Sequence, residues 1–340
     1  MTEPFTFSIR LNNDHRIEEY IALAQRAEAF GFDQFWISND LFLRSAPVML
    51  AAVAGATKRL GIGTAILNPY TMNPGEIAMM AATLDELSGN RFHLGLAAGA
   101  REFMKWVGID YRTPLAAVRE SVEAIRRLFG GEEGVDASTL HWTKEAYLRF
   151  RAPRVTPIYI GAMGPSMLRL SGEIGDGALP LLLPPEHYFT VRPLLEEGMK
   201  ARDPALGPFD FACCIWVSLS SDSKAARRVL AEKIAYYGSA LSPLILERLS
   251  LTREDFAIIQ RAVVEERDMD KASSLVQERM LRIGIVGGPK EVIERLEPLV
   301  AAGARHLSFG PPLGPDPLEA VELLGREVLP YFRQRLERRS

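Results

Sequence analysis

Six consecutive residues, Gly161-Ala162-Met163-Gly164-Pro165-Ser166, hold the clearest ligand-binding chemistry in the chain. Two glycines let the backbone turn and approach a ligand closely. Ser166 follows Pro165 where a helix should begin, and a helix N-terminus presents free N–H groups and partial positive charge. That is chemistry for a phosphate. The same residue types also build an ordinary capped loop, and composition leaves the two readings level. For acid–base work the candidates are Asp40 and Glu102, each just beyond a short apolar run. Isolated acids in such places more often cap helices or pair with cations. Arg10, also just beyond an apolar run, either pairs with such an acid or binds an anionic substrate. His93 lies inside an apolar run and reads as a packing residue. His15, His141, His187 and His306 have no metal-ligand spacing, so no metal is expected. The Walker lysine motif, G-x-S-x-G and H-E-x-x-H are absent, and GIGTAI lacks the third glycine of a dinucleotide fingerprint. Cys213 and Cys214 are adjacent, a poor geometry for a bridge, and read as small strand residues in a reducing compartment.

These residues fall at the ends of a repeating rhythm. Eight short apolar runs read as strands: 5–11, 33–38, 61–67, 91–98, 156–161, 176–183, 212–219 and 304–310. Between and after them lie amphipathic stretches that read as helices, at 15–30, 45–57, 76–87, 114–129, 165–174, 185–201, 222–246, 289–302 and 315–338. Strict alternation predicts a parallel sheet with right-handed crossovers. Eight units in 340 residues predict an α/β fold, a closed (β/α)8 TIM barrel spanning 1–340 as one domain. A doubly wound open sheet is the lesser alternative. Two stretches exceed the repeat, 130–156 before strand five and 238–281 before strand eight. They read as lids or oligomer contacts. The active site of such a barrel lies at the C-terminal ends of its strands.

Composition sets the outer limits. The chain is 47% hydrophobic and 24% charged, enough apolar residues for a large core. A net charge of −3 without a Lys/Arg block argues against nucleic acid. No apolar run nears the roughly 18 residues of a membrane span. The opening MTEPFTFSIR lacks the form of a signal peptide, and a cytoplasmic protein is expected.

Three segments together resemble one family. NPYTMNPGEIAMMAATLDELSGNRFHLGLAAG (68–99), IYIGAMGPSMLRLSGEIGDGALPL (158–181) and ARHLSFGPPLGPDPLEAVELLG (304–325) are similar to the bacterial-luciferase-like superfamily. More narrowly they resemble its coenzyme F420-dependent methylenetetrahydromethanopterin reductases. The resemblance runs from Phe5 to about Pro330. It implies a non-prolyl cis peptide within Gly63-Thr64-Ala65-Ile66, behind a flavin or deazaflavin ring, and explains the two Asn-Pro steps that follow as the rim of a cofactor site. It implies cofactor contacts from Asn68, Ala97 and Gly99, and a phosphate at Gly161 to Ser166. Asn39 and Asp40 are then the catalytic candidates, with Arg10 and Glu102 facing substrate. The chain departs from its relatives on that side. Asn39-Asp40 stands where relatives carry Asp-His, Ala100 where they often carry Asp or another polar residue, and Arg10 where an acid is typical. The implied function is F420-dependent hydride transfer to or from a small organic substrate, in a homo-oligomer. The alternatives are an FMN-dependent monooxygenase with a partner reductase, and a cofactor-free binding protein on a decayed barrel.

Overall fold

A computed structural model describes residues 4–132 and 145–337. Eight parallel strands close into a barrel: β1 (Thr6–Leu11), β2 (Gln34–Ile37), β3 (Gly61–Thr64), β4 (Phe92–Leu96), β5 (Ile158–Ile160), β6 (Gly177–Ala178), β7 (Asp210–Leu219) and β9 (His306–Leu313). β1 pairs with both β2 and β9, and the β6–β7 pairing completes the ring. Around it lie α1 (Ile17–Ala29), α2 (Ala46–Ala56), α3 (Pro74–Ser88), α5 (Pro114–Phe129), α6 (Pro165–Ile174), α7 (Tyr188–Met199), α8 (Ser223–Tyr237), α12 (Pro289–Ala301) and α13 (Pro317–Leu323). The expected (β/α)8 barrel is the fold found.

Period-2 alternation sorts the strand residues. Phe7, Ile9, Phe35, Ile37, Leu94, Ile160, Ile215 and Phe309 pack outward into the main core beneath the helices. The inward set mixes large rings with small residues: Trp36, Tyr159, Ala212 and Cys214 form a separate cluster with Ala65 and Leu179. Trp36 and Tyr159 make ring contact at 5.0 Å, and His93 touches both at 5.8 Å. Below them Asp210 accepts hydrogen bonds from Tyr159 Oη (2.7 Å) and His306 Nδ1 (2.7 Å), while His306 Nε2 meets Ser8 Oγ at 2.8 Å. Tyr159, Asp210, His306 and Ser8 thus satisfy one another inside the barrel.

Some elements differ from the sequence expectation. The sixth strand, expected over 176–183, pairs only at Gly177–Ala178, because Pro180 has no N–H to donate to a ladder. The helix expected over 222–246 ends at Tyr237. Gly238 and then Pro243 break it, and a short helix α9 (Pro243–Arg248) follows. The C-terminal helix expected over 315–338 widens at Leu324–Val328 before α14 (Leu329–Glu337). An unexpected short helix, α4 (Arg101–Trp106), follows β4. The insertion expected over 238–281 is present as α9, α10 (Ala257–Val264) and α11 (Met269–Ser274), packed on α8 as a second apolar cluster. It ends in an extra strand, β8 (Ile285–Gly287), paired to the end of β7. Of the other insertion, 133–144 lies outside the described residues. Its return to the barrel is anchored by buried Asp85, which accepts from Arg154 Nε (2.9 Å) and Thr156 Oγ1 (2.6 Å).

One contact places α6. A Cβ on Gly172 would lie 2.2 Å from Leu195 O, and one on Gly198 would lie 1.9 Å from Arg169 O. α6 and α7 therefore touch backbone to backbone, at a distance that admits no side chain.

Candidate functional site

At the C-terminal ends of β3, β4 and β5 the chain builds a shelf of small residues. β3 leads into a cis peptide between Ala65 and Ile66, inside the expected stretch Gly63 to Ile66. Gly63 is covered by the Trp36 ring, which a Cβ there would meet at 2.4 Å. A Cβ on Gly161 would come within 2.9 Å of Ala97 Cβ and 3.1 Å of Ile66 Cγ2. Ile66, Ala97 and Gly161 are thus drawn together from the ends of three strands, with Ala65 beside Ile66 and Gly63 beneath Trp36. Thr64 faces the other way, with its hydroxyl bonded to the Gly95 backbone, and holds β3 to β4.

The rim is shaped by Asn68. Its Oδ1 accepts from Tyr70 N (3.2 Å), Thr71 N (2.9 Å) and Thr71 Oγ1 (3.0 Å), an Asx turn that carries the chain round Pro69. Its Nδ2 faces Gly99, whose φ of +75° favours glycine. Asn73 Oδ1 then caps α3, accepting from Gly75 N and Glu76 N. The first Asn-Pro step is therefore a turn and the second a helix start.

At the end of the shelf lies the N-terminus of α6. Gly164 caps it without a side-chain hydrogen bond, so the first free backbone donors, on Ser166 and Met167, are left for a ligand. A Cβ on Gly164 would meet nothing within 4 Å, so the space before these donors is open. An apolar ledge leading to uncapped helix donors fits a flat ring with an anionic tail.

The opposite side of the mouth carries charge. Arg10 is buried, with Nη1 donating to Pro180 O at 3.0 Å and Nη2 to Leu181 O. Its Nε has no partner. Asp40 is half-buried, and Asn13 holds its backbone at both ends: Asn13 Nδ2 donates to Asp40 O (2.9 Å) and Asn13 Oδ1 accepts from Asp40 N (3.2 Å). Its carboxylate makes no hydrogen bond or ion pair among the described residues. Burial raises its pKa, against the opposing charges of Lys233 and Arg10. Asn39, expected beside it as catalytic, turns its Oδ1 to Ala46 N and starts α2. Glu102 lies exposed in the first turn of α4.

Lys233 was missed in the sequence. On α8, it sets its ammonium over the rings of Tyr237 (4.3 Å) and Trp216 (5.2 Å). Two signals pointed to it. Lys233 and Tyr237 are four apart on one helical face, and alternation along 212–219 turns Trp216 inward with Cys214. Burial lowers the Lys233 pKa to about 8, with Arg10 acting in the same direction and Asp14 and Asp40 against it. His93 is held neutral, its pKa pushed down to about 4 chiefly by burial, as suits a packing residue. The two cysteines are free and buried, and burial raises both thiols. Among the described residues no His, Cys, Asp and Glu group could hold a metal, and no helix is long and apolar enough to cross a membrane.

The model of the luciferase-like monooxygenase family matches residues 3–306. The chain belongs to that family. Within the family it is 31% identical to the 5,10-methylenetetrahydromethanopterin reductase of Archaeoglobus fulgidus, over 94% of this chain and 96% of that one. It is 29% identical to the F420-dependent glucose-6-phosphate dehydrogenase of Microbacterium testaceum, over 98% and 99%. The crystal structure of the coenzyme F420-dependent tetrahydromethanopterin reductase of Methanopyrus kandleri superposes with a TM-score of 0.90 at 30% identity, covering 97% of this chain and all of that one.

Proposed function

We propose that this protein is a coenzyme F420-dependent oxidoreductase that transfers hydride between the deazaflavin and a small organic substrate. One observation carries the reading: a shelf of glycine and alanine ends at an uncapped helix N-terminus, in a chain that aligns end to end with F420-dependent enzymes. Bound F420 would supply a two-electron hydride carrier. Gly63, Ala65 and Ile66 would back its ring, and Thr64 would hold that stretch in place. Ala97, Gly99 and Asn68 would flank it. Gly161, Ala162 and Met163 would lead to the phosphate, which Gly164, Pro165 and Ser166 would receive at the start of α6. Asp40, with its free carboxylate, and Arg10 would face substrate. Asn39 would serve by placing α2, and Glu102 would stand at the outer edge of the mouth.

The same reading makes the protein a cytoplasmic homo-oligomer. Phe42 and Trp106, both more than half exposed and in ring contact at 6.2 Å, lie beside the mouth with exposed Leu43 and support a subunit contact there.

Fluorescence titration with F420 and, separately, with FMN tests the cofactor. Tight F420 binding and weak FMN binding are expected. A preference for FMN would replace the reading with a flavin-dependent monooxygenase. Binding of neither would leave a cofactor-free protein.

A further inference from the structure

Asp40 follows β2 and Lys233 lies on α8. Each lowers the energy of the other's charged form, yet no ion pair joins them. Neither Nζ nor the carboxylate has a hydrogen-bonding partner among the described residues. Lys233 is held instead by ring faces, which fix an ammonium while leaving its N–H bonds free. Beneath them Arg10 has both terminal nitrogens tied to Pro180 and Leu181, so it supplies charge and no mobile proton. Tyr237, a titratable neighbour on the same helix, has its pKa pushed up by burial and then by Asp40, Tyr236 and Asp14, and stays protonated. Asp14 stands exposed at the edge. An ammonium held in this way, with its N–H bonds free, can donate to an oxygen or nitrogen lone pair.

We propose that Lys233 is the proton donor that accompanies hydride transfer, and that the substrate is a carbonyl compound or neutral imine whose oxygen or nitrogen accepts from Lys233 Nζ, while Asp40 sustains the charge of the lysine. The proposal rests on the cofactor reading above. In the reducing direction the substrate carbon accepts a hydride from reduced F420, which is thereby oxidised. The C=O or C=N π bond breaks and its electron pair moves to the heteroatom. That atom takes a proton as an Nζ–H bond of Lys233 breaks, and the product is an alcohol or amine. Neutral Lys233 recovers its proton from water at the open mouth. An already cationic iminium would need no such proton. The lowered lysine pKa suits the task, since a general acid works best when its pKa lies near the working pH.

The test uses the full chain in two parts. Lysine labelled with 13C at Cε is titrated by NMR, with the Lys233 signal assigned from its loss in Lys233→Met. A midpoint near 8 is expected, moving lower in Asp40→Asn. A midpoint at the ordinary value of about 10.4 would overturn the proposal. Oxidation of reduced F420 is then followed with cyclohexanone, acetone and 2-methyl-1-pyrroline. The wild-type rate should fall above about pH 8, as Lys233 deprotonates. Lys233→Arg keeps the charge but cannot give up a proton, and should lose about 100- to 10,000-fold in rate while binding F420 normally. An arginine variant as fast as wild type would overturn the donor role. A wild-type chain that binds F420 but reduces none of the three would overturn the substrate class. Failure of the wild-type chain to bind F420 would refute the cofactor reading, and the proposal with it, whatever the lysine midpoint.

Discussion

Replacing Gly164 with alanine separates ligand binding from folding at the α6 terminus. The residue has φ −95° and ψ 156°, a conformation open to alanine, and its added Cβ meets nothing within 4 Å. Restricting the unfolded chain should stabilise the fold by about 0.4–1 kcal/mol. Alanine is a poorer helix cap than glycine and costs about 0.5–1 kcal/mol. The two offset, and unfolding by urea should change by less than about 0.5 kcal/mol. Binding should respond differently, because the methyl group enters the open space before Ser166 N and Met167 N. Losing one charge-assisted hydrogen bond costs about 1.5–3 kcal/mol, or about 10- to 150-fold in affinity. Fluorescence titration with F420 and urea unfolding of the same preparation measure both. Unchanged affinity with unchanged stability would show that no anion binds at this terminus. A loss of more than about 2 kcal/mol in stability would show that the space is not open.

Two further outcomes follow from contacts already described. Gly198→Ala forces a methyl group to within 1.9 Å of Arg169 O, so α6 and α7 must separate. Urea unfolding should show a loss of about 1–3 kcal/mol, with weaker F420 binding as α6 shifts. Stability and affinity both at wild-type levels would refute the backbone contact. Burial alone would raise the Asp210 pKa, but neighbouring His306 and the hydrogen bonds from His306 and Tyr159 hold it below the ordinary value. Its contribution to stability is therefore complete above the unfolded pKa of about 3.9 and is lost as pH falls below that through the folded pKa. Asp210→Asn should lower the melting temperature at pH 7 and flatten its decline below about pH 4. An identical acid profile in both proteins would refute the network.

The barrel was legible in the sequence because its signal repeats. Each apolar run alternates, each helix buries one face, and closure follows from eight such units. The α6 terminus was legible because Gly, Pro and Ser act locally. What escaped depends on distance. Asn39 reads as a polar residue at a strand end, but its carbonyl oxygen is spent on Ala46 N, a partner seven residues away that only the path of the loop determines. Glu102 looked like a mouth acid until an unforeseen helix turned it outward. Lys233 lay in an amphipathic helix, where a lysine is ordinarily solvated. Tyr237 lies four residues along the same helix, but only the folding of α8 against β7 brings Trp216 to the lysine as well. Period and turn chemistry are written in neighbouring residues, whereas a site assembled from β1, β2, β7 and α8 is written in none of them.

The glycine contact between α6 and α7 also bears on how such a chain can change over generations. The amides that would receive an anion in the proposed function keep their position because two backbones touch with no side chain between them, so every substitution at Gly172 or Gly198 moves them. The charged side of the mouth has no such restriction: Asp40 and Lys233 are single side chains whose replacement disturbs no backbone contact. On the proposed function, descendants of this sequence could therefore exchange one substrate for another by point mutation, while the α6 terminus would resist change by any route short of rebuilding two helices.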